Sequence, residues 1–390
     1  GVLTTTYSWT VISSGSGHTA AIRSDGLLFT WGAGSAGRLG DGTGLDQLTP
    51  KQIGLSSWTA VSAGRFHTAA IRSDGLLLTW GYNLNGHLGD GTETNQGSPV
   101  QIGTSSWTSV SAGMYAHTAA IRSDGLLFTW GMNYSGQLGI LTDVNRSSPV
   151  QVGNNRVPVS GLPVQVGTSS WTAVSAGATH TAAIRSDGLL FTWGINNSAN
   201  LGDGTVINKS SPVQIGTKVS SPVQLGTFSW RSVSAGTNHS AAIRSDGLLF
   251  TWGQNNFGQL GDGTVVNKAS PVQIGSSIWK DVSAGGNATA AVRVDGRLFT
   301  WGDGTSAQLG DNTLTNKSSP VIVGDAVLAG VLSSPVQVGS SSWTSVSAGR
   351  ATTGAIRSDG LLFTWGAGTN GQLGDGTIVS KVSPVQIGSS

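Results

Sequence analysis

Cysteine is absent from this 390-residue sequence, and charged residues make up only 10% of it. Without cysteine the chain has no disulfide, no thiolate nucleophile and no thiolate metal ligand. Its 21 Lys and Arg nearly balance 19 Asp and Glu, for a net charge of +2. That small excess makes nucleic acid and anionic membranes poor candidate partners. No apolar run approaches the roughly 18 residues of a membrane-spanning helix, so no membrane span is expected.

Glycine and tryptophan are abundant instead, with 59 Gly and 14 Trp. One Trp series lies in SSWT-like motifs: Trp9, Trp58, Trp107, Trp171, Trp230, Trp279 and Trp343. The other lies in TWG motifs: Trp31, Trp80, Trp130, Trp193, Trp252, Trp301 and Trp365. The two series define seven repeats with a base period of about 50 residues, which is typical of solenoids and propellers.

Each repeat is expected to form four short antiparallel strands. In the second repeat these are residues 58–64, 67–72, 76–81 and 99–103. The SDG between the second and third strands predicts a tight hairpin, because Asp-Gly between apolar strands favours that turn. Helical periodicity is absent. Side chains grow from Ala and Ser in the first two strands to Leu, Phe and Trp in the third, as a wedge-shaped blade requires.

These features predict an all-β fold, a seven-bladed β-propeller of four-stranded antiparallel blades, with residues 1–390 in a single domain. The predicted blades are approximately residues 1–54, 55–103, 104–167, 168–226, 227–275, 276–339 and 340–390. Inserts that repeat a PVQVG-like strand lie at 154–167, 217–226 and 325–339. They are either tolerated loop growth or assembly elements. Ring closure is also open, because blade 7 is either complete by itself or paired with residues 2–7.

The recurring motif HTAAIRSDGLLFTWGxNxxGQLGDGTxxxxSPVQIG resembles the regulator-of-chromosome-condensation (RCC) repeat, seven times over essentially the whole chain. The resemblance implies a seven-bladed propeller, in a form that we expect in bacteria or viruses. It implies no single function, because the family includes an exchange factor for the small GTPase Ran, a plant ultraviolet photoreceptor and secreted inhibitors of β-lactamase. The photoreceptor uses Trp between the first and second strands, where this chain has none, so light sensing is not expected.

No repeat position offers a catalytic or metal site. Histidine begins the second strand in five repeats, but Ala288 and Thr352 break the series. No carboxylate follows at ligand spacing, so a structural His that bonds a neighbouring turn is favoured over a metal ring. The Asp of LGDGT is expected to bond its own turn, and the Arg and Asp of RSDG are expected to pair at the hairpin. We predict no catalytic residue, no metal and no cofactor.

Comparison of the seven copies separates a nearly constant framework from two variable segments. One segment follows SAG, as at 65–66, and the other follows TWG, as at 82–85. In an antiparallel four-stranded blade, the first-to-second and third-to-fourth connections lie at the same end. Both variable segments are therefore expected on one face of the disc, with the SDG turns on the opposite face. Loops on a rigid scaffold are where binding residues concentrate.

Aromatic residues and methionines collect in these variable segments. Both Met and three of the four Tyr lie there, among Asn, Ser and Gly. This composition is typical of a paratope, and the apolar cluster on blades 2 and 3 suits a binding hot spot. Neutral drift of surface loops is the alternative explanation. The predicted partner-binding residues are Phe66, Tyr82, Asn83, Asn85, Met114, Tyr115, Met132, Asn133, Tyr134 and Phe257.

The sequence therefore predicts a non-enzymatic binding protein that presents one variable-loop face to a protein or glycan partner. The first alternative is a structural subunit of an extracellular filament, viral tail or coat that self-assembles through the inserts and edge strands. The second is a GTPase-regulating exchange factor. Nucleic acid is not an expected partner. The low charge and the Ser/Thr/Asn-rich loops favour an extracellular, adhesive or viral-surface setting, with a cytoplasmic one left open.

Overall fold

The computed structural model describes residues 8–153, 169–216, 229–323 and 342–388. In these residues the chain forms 26 β-strands and one short 3-10 helix, Ser35–Gly37. The strands form five antiparallel sheets, which confirms the predicted all-β fold. No helix among them has the length and apolar character needed to cross a membrane. The strands are β1 Trp9–Ser14, β2 His18–Arg23, β3 Leu28–Gly32, β4 Gln47–Gln52, β5 Trp58–Ala63, β6 His67–Arg72, β7 Leu76–Gly81, β8 Gln96–Ala112, β9 His117–Arg122, β10 Leu127–Gly131, β11 Arg146–Gln151, β12 Trp171–Ala176, β13 His180–Arg185, β14 Leu190–Gly194, β15 Lys209–Gln214, β16 Trp230–Ala235, β17 His239–Arg244, β18 Leu248–Gly253, β19 Lys268–Ala284, β20 Ala288–Arg293, β21 Leu298–Gly302, β22 Lys317–Ile322, β23 Trp343–Ala348, β24 Thr352–Arg357, β25 Leu362–Gly366 and β26 Lys381–Ile387.

Each repeat contributes four consecutive strands that pair with their sequence neighbours, and we call each group of four a blade. Three blades are separate sheets, namely β1–β4, β12–β15 and β23–β26. The two seven-stranded sheets, β5–β11 and β16–β22, each hold two blades that share a 17-residue strand, β8 or β19. The described strands thus give seven four-stranded blades, numbered 1 to 7 along the chain.

The shared strands differ from the sequence prediction, which separated the fourth strand of one blade from the first strand of the next. β8 runs from blade 2 into blade 3 with one residue at positive φ, Gly103, and Leu76 of β7 pairs with Ser106. Leu248 of β18 pairs with Ile278 of β19 in the same way. The short link therefore continues the sheet instead of forming a loop. The other strands of blade 2 lie within their predicted ranges, and β8 begins at Gln96, shortly before the predicted start.

The hydrophobic core lies between adjacent blades. Between blades 1 and 2, Trp58 and Trp80 pack with Ile22, Leu28 and Ile53. The rings of Trp58 and Trp80 meet edge to face, with centroids 6.1 Å apart. An equivalent Trp pair occurs in every blade, and the TWG Trp is fully buried in all seven. Because each such ring buries about 150–250 Å², the Trp pair explains why this part of the repeat is constant.

A circle of backbone hydrogen bonds joins the blades along their first strands, which contact one another around the ring. The first strand of each blade is followed by a glycine. The residue after that glycine donates its N–H to the carbonyl of the equivalent glycine in the next blade, at 3.0–3.4 Å. The donor and acceptor residues are Ser16 and Gly64, Arg65 and Gly113, Met114 and Gly177, Ala178 and Gly236, Thr237 and Gly285, Gly286 and Gly349, and Arg350 and Gly15. The last bond closes blade 7 onto blade 1.

Blade 7 contributes four strands of its own to this closure, β23 to β26. Its contact with blade 1 also includes a core cluster in which Trp31 packs with Ile356 and Leu362. In the described residues, the ring of blades therefore closes with no strand of blade 7 supplied by another blade. The alternative partner, residues 2–7, lies outside the described residues, as do the predicted inserts at 154–167, 217–226 and 325–339. The blade boundaries in those regions and the single-domain assignment stay predictions.

The close approach of the backbones explains the glycine at this point of every repeat. A Cβ on Gly64 would lie 2.7 Å from the carbonyl oxygen of Gly113, and one on Gly15 would lie 2.3 Å from that of Gly64. The same clash, at 2.3–2.9 Å, occurs at the other five positions. Only glycine therefore lets the main chains approach closely enough to make the ring of hydrogen bonds.

The two ends of the strands form two different faces. Tyr82 N–H donates to the Phe66 carbonyl at 3.0 Å, so the first-to-second and third-to-fourth connections lie at one end, the loop face. Trp58 N–H donates to the Gly26 carbonyl at 2.8 Å, which places the SDG turns and the blade-to-blade links at the other end, the hairpin face. This confirms the predicted arrangement. The inner turns of the loop face are residues 15–17, 64–66, 113–116, 177–179, 236–238, 285–287 and 349–351. Its outer loops are residues 33–46, 82–95, 132–145, 195–208, 254–267, 303–316 and 367–380.

Candidate binding face

Buried histidines beneath the loop face connect neighbouring blades. His18 Nε2 lies 2.8 Å from Thr68 Oγ1 in the next blade. The same contact, at 2.9–3.1 Å, is made by His67, His117, His180 and His239. Burial lowers the pKa of His18 to about 3, so its imidazole is neutral at pH 7. The structural interpretation is confirmed, although the partner is a strand rather than a turn. Within the described ranges no three His, Asp or Glu side chains converge as a metal site.

The outer loops are held by their own polar side chains. Asp41 Oδ1 accepts hydrogen bonds from Thr43 N–H at 3.0 Å and Thr43 Oγ1 at 2.8 Å, as predicted for a turn-forming Asp. In blades 4 to 7 the equivalent Asp also pairs with a lysine at the start of the fourth strand, at 3.1–3.4 Å. Each outer loop is therefore a fixed structure from which only some side chains project.

Two predicted partner-binding residues, Asn83 and Asn133, belong to this framework. Both side chains are fully buried. Asn83 Nδ2 donates to Asp90 Oδ1 at 3.1 Å, and its Oδ1 accepts from Leu88 N–H at 2.9 Å. Asn133 Oδ1 accepts from Leu138 N–H in the same way. Because neither side chain reaches the surface, neither can contact a partner, and we exclude both from the candidate surface.

The other predicted residues reach the loop face to different extents. Tyr134 is 69% exposed and Tyr115 is 40% exposed. Phe257 lies in the outer loop of blade 5, and no ring contact among the described residues joins it to blades 2 and 3. Phe66, Tyr82 and Tyr115 are therefore joined by contacts in a patch on blades 2 and 3 that does not include Phe257. The partly buried members of the predicted set are Phe66, Tyr82, Asn85, Met114, Met132 and Phe257.

Two arginines organise the aromatic rings of this patch. The Arg65 guanidinium carbon lies 4.7 Å from the centroid of Phe66 and 5.1 Å from that of Tyr115. Arg38 approaches Phe66 to 4.9 Å, and the Tyr82 ring lies 5.8 Å from Phe66. Such cation–π contacts are favourable within about 6 Å. We call these five residues the arginine–aromatic cluster; it crosses blades 1 to 3.

Arg38 is the most deeply buried charge of the cluster, with 7% of its surface exposed. Its guanidinium donates to the Ser35 carbonyl at 2.9 Å, to Ser35 Oγ at 2.5 Å and to the Arg65 carbonyl at 3.2 Å. Burial lowers the pKa of Arg38, and the charge of Asp46 partly offsets that effect. The sequence analysis did not select Arg38. The signal that could have identified it is its position immediately before LGDG, where the other repeats have Gln, His or Asn.

Met114 links the patch to the inner turn two blades away. Its Sδ accepts a hydrogen bond from Ser16 Oγ at 3.7 Å, and its N–H belongs to the backbone ring. Ser16 lies in blade 1 and Met114 in blade 3, so the side chain extends past the inner turn of blade 2. The apolar part of the patch therefore lies at the centre of the loop face.

The charges of the two faces differ. On the hairpin face every blade carries an Arg–Asp pair within the RSDG-like turn, such as Arg185 and Asp187 at 2.6 Å. The hydrogen bond from Arg185 lowers the pKa of Asp187. On the loop face, Arg38, Arg65 and Arg350 have no carboxylate within ion-pair distance among the described residues. Each arginine of the hairpin-face turns is therefore paired within its own turn, whereas the charge of Arg38 is partly offset by Asp46 from beyond ion-pair distance.

Curated relatives match short parts of this chain. A Caenorhabditis elegans protein named X-linked retinitis pigmentosa GTPase regulator homolog is 37% identical over 95 residues, which are 24% of this chain and 6% of that protein. The Arabidopsis thaliana ultraviolet-B receptor UVR8 is 34% identical over 95 residues, 24% of this chain and 20% of the receptor. Human E3 ubiquitin-protein ligase HERC2 is 34% identical over 91 residues, only 2% of its length. The chain thus matches a small share of each of these relatives.

Solved structures match far more of the chain. Human WBSCR16 has a TM-score of 0.76 at 19% identity, covering 93% of this chain and 94% of that one. Yeast RCC1 (Prp20), in a structure bound to Kap60, has a TM-score of 0.71 at 19% identity, covering 88% and 78%. The model of the regulator of chromosome condensation (RCC1) repeat matches residues 25–71, 74–121, 124–184, 187–243, 246–292, 295–356 and 359–390. With its repeats, blade geometry and family match in agreement, the chain belongs to the RCC1 repeat family.

Proposed function

We propose that this chain is a non-enzymatic binding protein whose loop face receives a protein partner. The observation that carries the proposal is the arginine–aromatic cluster. Tyr and Arg are the side chains most enriched at binding hot spots, and here they are stacked on one another before any partner arrives. Side chains that are already ordered lose little conformational entropy on binding. The cluster is thus suited to be the anchor of an interface.

Exposed apolar side chains surround this anchor. Leu84 in the outer loop of blade 2 is 57% exposed, and Tyr134 in the outer loop of blade 3 is 69% exposed. Tyr134 Oη accepts a hydrogen bond from Asn145 Nδ2 at 3.1 Å, which limits the motion of its ring. An interface centred on the cluster would bury these two side chains as well. The patch thereby offers the apolar, aromatic centre that specific interfaces have.

Similar propellers bind proteins. One of the matched structures is yeast RCC1 with Kap60 bound, and a second study of Prp20p describes binding to Gsp1p and histones. At 19% identity these likenesses establish the fold, and a shared fold does not transfer a partner. They support a protein as the class of partner. A glycan partner, self-assembly, GTPase regulation and an extracellular or viral setting stay predictions from the sequence.

Site-specific photo-crosslinking tests the proposal. A photo-crosslinking amino acid is placed at Leu84 or Tyr134 on the loop face, or at exposed Ser73 in the SDG turn of the same blade 2 as the control. The source cells are irradiated and adducts are identified by mass spectrometry. We expect one protein to be captured from both loop-face positions and not from Ser73. Capture of that protein from Ser73 alone would contradict the proposal.

A further inference from the structure

The inner turns of the loop face contain two charged residues, and both are arginines. The residues that donate to the backbone ring are, in order, Ser16, Arg65, Met114, Ala178, Thr237, Gly286 and Arg350. Arg350 of blade 7 and Arg65 of blade 2 lie on either side of Ser16 in blade 1, because the ring closes there. No inner turn contains an acidic residue. Positive charge is therefore concentrated around one point of the ring.

Arg38 brings a third positive charge to the same point. A Cβ on Gly17 would lie 3.8 Å from Arg38 Nη1, so the guanidinium lies beside the inner turn of blade 1. That turn is Gly15-Ser16-Gly17, the one with the smallest side chains among the turns around it. Nothing approaches the position of a Gly17 Cβ closer than 3.7 Å. These are ordinary van der Waals distances, so the turn has little side-chain bulk of its own, with Arg350, Arg38 and Arg65 around it.

The donors of these guanidinium groups are not saturated. Arg38 directs its bonds to two neutral carbonyl oxygens and one hydroxyl, although a guanidinium has five N–H donors. Arg65 stacks against Phe66 and Tyr115, and stacking leaves the edge of a guanidinium free for an in-plane acceptor. Arg350 is exposed. Carboxylate is the acceptor whose geometry matches such an edge, through paired N–H···O bonds.

Nucleic acid fits the same surface poorly. Phe66 already has two arginines and the Tyr82 ring against it, so its face is not open to a base. Exposed Glu93 and Asp143 lie in the outer loops of blades 2 and 3, so the positive charge of the inner turns does not extend across these loops. A polyanion needs a continuous basic stripe, whereas a short acidic segment needs only the arginines around the inner turn of blade 1.

We propose that Arg65 and Arg350 bind the carboxylates of an acidic segment of the partner protein, above the positive charge of the largely buried Arg38. The segment lies over Ser16 and Gly17 at the centre of the loop face, next to the arginine–aromatic cluster. This inference rests on the proposed function, since it names the chemistry that the loop face recognises.

The repeats supply substitutions that other blades already carry. Arg65→Ala and Arg350→Ala install the residue found at the equivalent Ala178, and Arg38→Gln installs the residue found in four other blades, as at Gln137. The matched control is Arg297→Leu on the hairpin face, where the other six repeats have Leu. Each change removes one positive charge, so a general effect of net charge is the same in all four variants.

Two binding measurements test the inference. Random peptides displayed on phage are selected on the purified protein, and a fluorescent oligoglutamate peptide is titrated by polarisation at several salt concentrations. We expect the selected peptides to be enriched in Asp and Glu. Oligoglutamate binding should weaken with salt and fall about tenfold in Arg65→Ala and in Arg350→Ala, as expected for loss of a charge-assisted hydrogen bond, and by less in Arg38→Gln. Arg297→Leu should bind like the unaltered chain.

Three results would overturn the inference: selected peptides with no acidic enrichment, equal oligoglutamate affinity in the loop-face variants and Arg297→Leu, or tighter binding of single-stranded DNA than of oligoglutamate. Circular dichroism of each variant checks folding, and if one loop-face variant does not fold, the other two decide the question. If a protein is crosslinked from Leu84 and Tyr134 but the selected peptides are not acidic, this inference fails and the proposed function stands. If neither position crosslinks a protein, the proposed function itself fails.

Discussion

The loop face and the hairpin face are opposite ends of the same strands, but side chains take part in their turns to different extents. On the hairpin face, side-chain bonds add to the backbone hydrogen bonds of the turn, such as Gly125 N–H to the Arg122 carbonyl at 2.8 Å. In blade 3, Asp124 Oδ1 accepts from Leu126 N–H at 3.1 Å, and Arg122 pairs with Asp124 and stacks on Phe128 at 4.8 Å. On the loop face the inner turns are held by main-chain hydrogen bonds that run from blade to blade.

This difference explains which residues repeat. A turn that also depends on side-chain bonds is destabilised when those side chains change, so RSDG recurs almost unaltered. A turn built from backbone bonds needs only its glycine, so the next residue is free to be Ser, Arg, Met, Ala, Thr or Gly. The loop face can therefore acquire a binding site without loss of the ring.

Acid should destabilise the loop-face end long before the hairpin face. Burial lowers the pKa of His18 and His180 from 6.5 to about 3, and that of His239 to about 4. The unfolded chain takes up these protons first, so stability falls as the pH drops from 6.5 towards the folded values. Each histidine contributes about 1.4 kcal/mol per pH unit. Urea unfolding between neutral pH and about pH 4 measures the combined loss, which is several kcal/mol.

The hairpin-face pairs titrate in a separate window. Arg185 lowers the pKa of Asp187 below 3.8. The stability that this pair contributes is therefore present above the unfolded pKa and is lost only as the pH falls through the folded one.

His180→Thr, which copies Thr352 of blade 7, should reduce the slope of stability against pH between 6.5 and 4. An unchanged slope in this variant, or a flat profile in the original chain, would show that the histidines are not the cause.

Substitution of a ring glycine should cost much more than substitution of its neighbour. A Cβ at Gly236 would lie 2.5 Å from the Gly285 carbonyl oxygen, so Gly236→Ala should lower the free energy of unfolding by about 3 kcal/mol. Thr237→Ala, which copies Ala178, should change it by less than about 0.5 kcal/mol. Urea unfolding at neutral pH measures both. Equal effects of the two substitutions would contradict the backbone-held turn.

Loss of the exposed tyrosines should weaken partner binding without loss of stability. Tyr115→Ala and Tyr134→Ala together should reduce affinity for the protein captured by crosslinking by about tenfold or more, the range of aromatic hot spots. Surface plasmon resonance measures the affinity, and the melting temperature checks the fold. The control is Ser73→Ala on the hairpin face. If the control and the double variant bind alike, the patch is not the interface.

The smallest effect is expected at a hairpin-face ion pair. Asp187→Asn removes the charge that pairs with Arg185 at 2.6 Å but keeps an acceptor oxygen for the turn. Exposed ion pairs contribute little, so stability should fall by under about 1 kcal/mol, and partner affinity should not change. Thermal unfolding with and without added salt measures the effect. A loss of binding here would assign a functional role to the wrong face.

The repeat pattern was sufficient to predict the strands and the two faces. Asp-Gly turns, small-to-large side chains and the Trp series identify the blade without any distance information. The shared strands β8 and β19 were not predictable, because the glycine and serines of the link read as a loop. Their extended form depends on pairs such as Leu76 with Ser106, which only the assembled blade brings together.

The candidate site was predicted in part. The tyrosines stood out by composition, but Asn83 and Asn133 were assigned to the surface although Asn recurs at that position in four repeats, the mark of a framework residue. Arg38 and Arg65 were missed for a physical reason. Arg38 reaches Phe66 across the boundary between blades 1 and 2, and Arg65 reaches Tyr115 across the boundary between blades 2 and 3. A repeat comparison within one sequence does not contain such contacts.

The most direct test of the contrast between the faces is a hydrogen-exchange footprint of the chain with and without the captured partner. We expect slower hydrogen exchange in residues 64–66, 82–85, 113–116 and 132–135 when the partner is bound. Hydrogen exchange in the SDG turns at 73–75 and 123–125 should not change. Slower exchange in those SDG turns, with the inner turns and outer loops unaffected, would contradict this contrast.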